Sequence, residues 1–210
     1  GERIDLVIFL NGIAIFTFEL KCNTSGQNYE DAIRQYKFER DYKTRLLKFK
    51  AGCLAHFAMD LNEVYMCTNL KGKSSFFLPF NKGCGVGIHS GKGNPHNENG
   101  INVSYMWEDI LKKDTVLYLI DKIIFLQKET KKDPDTGKRV TKETLIFPRY
   151  HQFNAVRKLV ADVAEHHSEK NYLIEHSAGS GKTNTIAWLA HRFASLHDRE
   201  NKVIFDTVCI

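Results

Sequence analysis

Apolar and polar positions in the first part of the chain follow the two-residue rhythm of extended backbone. In "ERIDLVIFLNGIAIFTFELKC" two β-rich runs, 4–10 and 13–20, flank Asn11-Gly12, a strong short-range hairpin signal, so an antiparallel strand pair is predicted. Alternation puts Ile4, Leu6, Ile8, Leu10, Ala14, Phe16, Phe18 and Leu20 on one wholly apolar face, which reads as core. The other set is Asp5, Val7, Phe9, Ile13, Ile15, Thr17, Glu19 and Lys21, charged only at the open end. A two-residue turn in unbroken register would set Asp5 opposite Phe18 and throw it onto the core face. A three-residue loop at Leu10-Asn11-Gly12, with Gly12 at positive φ, or an equivalent bulge, keeps Asp5 beside Glu19 and Lys21 and is therefore expected.

Helical spacing takes over at Asn28, which can cap a helix to about Tyr42 with Tyr29, Ala32, Ile33 and Tyr36 on its apolar stripe. Gln35 lies off that stripe and can turn toward the acidic end of the hairpin. "CLAHFAMD" and "EVYMCTNL" read as two further strands joined at Leu61-Asn62, and "SSFFLPF" as a short one disrupted by Pro79. Residues 81–100 are Gly- and Asn-rich and read as a long, mobile loop. Its G-x-G fragments lack the strand, glycine turn and helix order of a nucleotide site, and His89 and His96 lack partners at ligand spacing. "SYMWEDILKKDTVLYLIDKIIFL" reads as one or two helices with a core stripe of Trp107, Ile110, Leu111, Leu117, Ile120 and Ile124, closing a first domain at 1–126. Residues 127–147 form a charged hairpin linker centred on Pro134-Asp135-Thr136-Gly137. A third segment, 148–210, opens with a helix from Pro148 to about His167 that buries Phe153, Val156, Val160 and Val163. A buried strand "NYLIEH", the turn "SAGSGKT" and a helix from Lys182 to about Leu196, with Ile186, Leu189, Ala190 and Phe193 inward, complete the pattern.

Composition narrows the class. The 210 residues are 42% hydrophobic with mixed charge and a net charge of +5, compatible with a polyanionic partner. No secretory or membrane-spanning segment is visible. Cys22, Cys53, Cys67, Cys84 and Cys209 lack C-x-x-C pairing and read as reduced cytoplasmic thiols, neither a zinc site nor a disulfide framework. The chain starts at the doorstep of a strand and stops inside the run "KVIFDTVCI", so it reads as a piece of something longer.

Two constellations carry chemistry. Two carboxylates and an ammonium at one end of a largely buried face cost several kcal/mol unless compensated, and a divalent cation compensates them. That suits metal-assisted phosphodiester hydrolysis: Asp5, Glu19 and the Leu20 carbonyl holding Mg²⁺, Lys21 orienting the attacking water and stabilising developing charge. A hairpin end charged for solubility is the other reading of the same spacing. Beyond the first helix, Lys37, Arg40, Lys43, Arg45, Lys48 and Lys50 suit a surface that tracks phosphates, or an ordinary solvated face. In the third segment, backbone N–H groups of Gly179, Ser180, Gly181, Lys182 and Thr183 are placed to surround a β-phosphate at a helix N-terminus. Lys182 would reach the β- and γ-phosphates and the Thr183 hydroxyl would ligate Mg²⁺. The full G-x-x-x-x-G-K-[ST] pattern wants glycine where this chain has His176. Upstream, the amide of Gln152 in "FPRYHQFNAV" has the donor and acceptor to read adenine's edge.

Asp5 with E-x-K at 19–21, a linker, "FPRYHQFNAVRKL" and "SAGSGKT", in that order over essentially the whole chain, resemble the restriction and motor subunit of type I restriction enzymes. The resemblance implies an α/β fold: a restriction-endonuclease-like mixed sheet with flanking helices, of the PD-(D/E)xK type, followed by the beginning of a RecA-like P-loop domain. It implies Asp5, Glu19 and Lys21 in the catalytic positions, ATP and Mg²⁺ as cofactors, and double-stranded DNA as substrate. The expected partners are methyltransferase and specificity subunits, in a cytoplasmic complex without membrane contact. In such an assembly the motor pulls DNA and the nuclease cuts remotely from the recognised site. Two departures matter. The family's Gln-x-x-x-Tyr element is broken, since Glu39 stands four positions after Gln35 and the tyrosine is Tyr36, so only Gln35 carries over. No D-E-x-x box or arginine finger is present, so an ATP-hydrolysing site is incomplete. A non-cleaving DNA- and nucleotide-binding module, and a repair helicase–nuclease, remain the alternatives.

Overall fold

A computed structural model describes residues 3–84, 92–133, 137–167 and 170–210. Strands β1 (Leu6–Leu10) and β2 (Ile13–Leu20) form the expected hairpin. Asn11 and Gly12 both take positive φ, +49° and +80°, so the turn is a two-residue one whose twist matches the strands. The register nonetheless shifts between Ile8 and Phe9: Phe9 faces Ala14, whereas Ile8 faces Phe16. Ile15 is the extra residue of a bulge, the expected equivalent of a three-residue loop, and the rest of β1 pairs in the parity that returns Asp5 to the Glu19 side.

Helix α1 (Tyr29–Phe38) is the crossover that lets β3 (Ala55–Met59) lie parallel to β2, and β4 (Val64–Cys67) and β5 (Leu78–Pro79) then add antiparallel. The result is a mixed five-stranded sheet in the order β1-β2-β3-β4-β5. A reciprocal capping box opens α1: Asn28 Oδ1 accepts from Glu30 and Asp31 N–H while the Asp31 carboxylate accepts from Asn28 N–H. The helix stops at Phe38, short of Tyr42, because the Arg40 N–H doubles back on the Gln35 carbonyl and residues 41–52 run on as turns.

Central strands are covered on both sides, so β2 departs from the one-core-face expectation. Phe16, Phe18 and Phe57 are fully buried on one face, Thr17, Glu19, His56 and Ala58 are buried under α1 on the other, and Leu6 and Leu20 at the margins are partly exposed. Each fully buried Phe contributes about 1.5–3 kcal/mol over exposure. An aromatic cluster of Phe16, Phe57, Phe80 and Phe147, with ring centroids 5.7–6.0 Å apart, centres the larger core.

After the sheet, π-helical turns at Met106–Ile110 and Leu119–Ile123 bracket helix α2 (Lys113–Tyr118). Wide turns, and the extended Lys112 between them, shift the helical phase: Met106, Ile110, Val116, Leu119 and Ile123 are buried, while Trp107 and Leu117 of the expected stripe are exposed. Strands β6 (Phe125–Lys132) and β7 (Arg139–Ile146) form the charged hairpin; residues 134–136 of its turn lie outside the described residues, as does His89.

Helix α3 (Tyr150–His166) buries Phe153, Val156 and Val163 as expected. Helix α4 (Lys182–Phe193) does not present its expected face, since Thr185 and Trp188 are buried and Ile186 is 48% exposed. The Trp188 indole N–H donates to the Ile123 carbonyl at 2.8 Å, which turns that side inward. "NYLIEH" is not a strand: Tyr172, Leu173 and Ile174 are exposed, and "KVIFDTVCI" contributes only a single bridge, Val203 to His197. A buried parallel strand needs neighbours on both sides, and none is present among the described residues. Phe147, Phe153, Val156 and Trp188 share one apolar core with the sheet. Arg157 adds a two-pronged ion pair to Asp109, at 2.8 and 2.6 Å, which holds the Asp109 carboxyl below its ordinary range.

Candidate active site

The bulge at Ile15 delivers Asp5 to the end of β2, where its Oδ2 accepts from the Leu20 N–H at 2.8 Å. Glu19 is fully buried under α1. Its Oε1 accepts from Arg40 Nε at 2.6 Å, while its Oε2 is buried and has no partner. Burial pushes the Glu19 carboxyl above the usual carboxylate range, Arg40 opposes that, and the neighbouring Asp5 charge pushes it further up. The two carboxylates are therefore immediate neighbours at the hairpin's open end. Lys21 follows on the Glu19 side by alternation, its N–H carrying the parallel ladder one step further to the Met59 carbonyl at 2.8 Å.

Gln35 sits on the last turn of α1 with its side-chain Oε1 buried and unpartnered, and its carbonyl holds the Arg40 N–H at 3.1 Å. Beneath the same helix, Thr17 Oγ1 lies 2.9 Å from the Tyr36 hydroxyl and 2.7 Å from His56 Nδ1, all three residues buried. This network pins α1 to β2 and β3 two residues from Glu19. Its signal in the sequence is weak: a threonine of Glu19 parity and a histidine inside an apolar strand.

Arg40 is the main revision to the expected phosphate-tracking surface, because it is spent on Glu19. Lys50 is likewise paired, with Glu143 of β7 at 2.5 Å, which ties the 41–52 segment to the charged hairpin. Lys43, Arg45 and Lys48 are exposed.

The second constellation is partly assembled. Gly179 and Gly181 take φ of +72° and +84°, and α4 begins at Lys182 as the phosphate cradle requires. Any side chain at 181 would also meet the Gln152 amide, since a Cβ there would lie 2.5 Å from Gln152 Nε2. Gln152 is buried against the loop instead of open to a base: its Nε2 donates to the Gly181 carbonyl at 2.8 Å and its Oε1 accepts from the Arg149 N–H at 2.8 Å. Lys182 Nζ curls onto the carbonyls of His176 and Ser177 at 3.0 and 3.1 Å, Ser180 Oγ is buried and unpartnered, and Thr183 is exposed. A cavity of about 450 Å³ opens beside this loop, lined by Thr68, Lys71, Arg149, Gln152, Ser180 and Gly181 among others.

Among the described residues no three His, Cys, Asp or Glu side chains gather into a metal cage, and no helix is long and apolar enough to cross a membrane. Two carboxylates with an open carboxylate oxygen between them do suit a hard cation that completes its shell with water, carbonyl and phosphate oxygens.

Residues 1–75 match the family described as the type I restriction enzyme R protein N terminus, and residues 145–207 the family described as type III restriction enzyme, res subunit. The chain is similar to the putative type I restriction enzyme MjaVIIIP endonuclease subunit of Methanocaldococcus jannaschii, 28% identical over 216 residues, which cover 96% of this chain and 18% of that protein. It is similar also to the putative MjaVIIP endonuclease subunit of the same organism, 25% identical over 224 residues, covering 99% of this chain and 18% of that protein. The chain thus spans less than a fifth of the length of these relatives. No solved structure matches it.

Proposed function

We propose that this chain, a piece of a type I restriction enzyme R subunit whose residues 1–75 belong to the R protein N-terminus family, carries that subunit's DNA-cutting centre and the opening of an ATP-driven motor. The observation that carries the reading is the buried, unpartnered Glu19 Oε2 beside the Asp5 carboxylate. An acidic pair at the mouth of a basic surface makes no sense for gripping phosphates alone, since like charges repel there.

Asp5, Glu19 Oε2 and the Leu20 carbonyl would hold Mg²⁺, which when bound supplies Lewis acidity toward a phosphodiester and its attacking water. Asp5 has a second task already visible, clamping the Leu20 N–H and so fixing the backbone at the point where the site opens. Lys21, one side-chain step past Glu19 on the same face, orients the water and offsets the negative charge that grows on the phosphate oxygens. Gln35 offers a buried acceptor toward that water. Exposed Lys43, Arg45 and Lys48 would follow the backbone of double-stranded DNA.

In the third segment, Lys182 would exchange the carbonyls of His176 and Ser177 for the β- and γ-phosphates of ATP, with the backbone N–H groups of residues 179–183 around the β-phosphate. Gln152 holds the loop in shape through Gly181, and reading adenine would require its amide to release that carbonyl. Methyltransferase and specificity subunits would supply site recognition to the intact enzyme.

The test is Lys21→Ala in the intact subunit assembled with its partners. Cleavage of double-stranded DNA should fall by at least about 10²-fold while ATP-driven translocation continues. Unchanged cleavage would favour a non-cleaving DNA-gripping module, and loss of translocation would show that the two activities are not separable at this residue.

A further inference from the structure

Three charged groups meet at the end of β2, Asp5 and Glu19 against Arg40, and Lys21 follows two positions after Glu19. The pairing is not symmetrical. Arg40 Nε contacts Glu19 Oε1 at 2.6 Å with the arginine side chain only 12% exposed and the glutamate fully buried. Arg40 reaches that point because α1 ends one turn early, its N–H returning to the Gln35 carbonyl. One oxygen of Glu19 is therefore occupied by a fixed cation, and the other is buried, open and beside Asp5.

Resting on the metal-centre reading above, we propose that Arg40 is the resident counter-cation of the site and that a divalent ion binds in competition with it. A guanidinium held against one carboxylate oxygen repels an ion approaching the other, and it draws charge density from the carboxylate that the ion would share. Arg40 thus does two things at once. It neutralises a fully buried carboxylate, so the centre folds without an ion, and it lowers the affinity of the centre for the ion. A DNA phosphate entering the site reverses the balance, because it supplies an oxygen ligand to the ion and an alternative anion to Arg40. The centre would then be metal-poor at rest and loaded when DNA is seated.

The experiment titrates Mn²⁺ into the 210-residue chain by calorimetry, for the native protein and for Arg40→Ala, Arg40→Gln, Arg40→Lys and Glu19→Gln. Loss of the positive charge in Arg40→Ala and Arg40→Gln should tighten Mn²⁺ binding on the order of tenfold, while Arg40→Lys stays close to the native value. The thermal midpoint in EDTA should fall in Arg40→Ala and recover on Mn²⁺ addition by more than in the native protein. A merely structural arginine would weaken metal binding when removed. Unchanged or weaker Mn²⁺ binding by folded Arg40→Ala overturns the proposal, and if that variant does not fold, Arg40→Gln, which keeps bulk and a donor without charge, decides in the same way. Glu19→Gln separates the two levels: Mn²⁺ binding that survives it overturns the metal centre itself, whereas its loss there with no gain in the Arg40 variants overturns the role of Arg40 alone.

Discussion

His56 makes the helix above the candidate site sensitive to acid. It is 1% exposed, and burial lowers its pKa from 6.5 to about 3. The unfolded chain binds a proton at this imidazole near pH 6.5 and the folded chain does not until near pH 3, so folding is penalised as pH falls between those values and unaffected above them. At pH 5.5 the penalty is on the order of 1 kcal/mol, and it grows by roughly another 1 kcal/mol for each pH unit toward pH 3. Glu19 works the other way. Its raised carboxyl pKa makes the charged form costly in the fold, so acidification through that range regains stability. The comparison must therefore be made against His56→Gln, which keeps a polar group near the Thr17 hydroxyl, does not titrate and leaves Glu19 in place. Urea unfolding of both proteins at pH 7.5 and 5.5 should show the native protein losing on the order of 1 kcal/mol more than the variant. Equal pH dependence of the two would refute the assignment of a neutral, buried His56 under α1.

Further outcomes follow from the phosphate loop and from α1. Lys182→Ala should remove whatever ATP affinity the isolated chain has, read by equilibrium binding, and the native chain should show no ATPase above background even with DNA, since its 210 residues hold no D-E-x-x carboxylates to activate water. Asn28→Ala breaks the capping box of α1 and should cost about 1 kcal/mol in denaturant unfolding, with DNA cleavage by the intact subunit reduced because α1 carries Gln35 and delivers Arg40.

The hairpin was legible because its signals are local. Asn11-Gly12 specifies the turn, and requiring three charges of one parity to meet demanded an irregularity, which appears as the bulge at Ile15. Asn28 announced the start of α1 for the same reason. Its end was not legible, because Arg40 leaves the helical path for a carboxylate twenty-one positions earlier in the chain, and nothing near residue 40 encodes that. Patterning found the inward faces around α2 and α4 only in part: Ile110, Leu111, Ile120, Ile124 and Leu189 pack on the core, while Trp107, Leu117 and Ile186 are exposed. Two π-turns moved the phase before and after α2, and the Trp188 hydrogen bond to Ile123 rotated α4. "NYLIEH" has the composition of a buried strand, but that composition is realised only between parallel neighbours. Of the candidate catalytic groups, Asp5 and Glu19 come together; Gln152 reaches the phosphate loop but in a different posture from the one its amide chemistry led us to expect.

The central claim is that Asp5 and Glu19 form one divalent-ion centre, and crystals of this chain grown with a short DNA duplex and soaked in saturating Mn²⁺ test it most directly through anomalous scattering. The account predicts a single peak at the open end of β2, about 2.1 Å from Glu19 Oε2 and from an Asp5 carboxylate oxygen. A peak elsewhere on the molecule, or none at this position with Glu19 Oε2 still unpartnered, would contradict it.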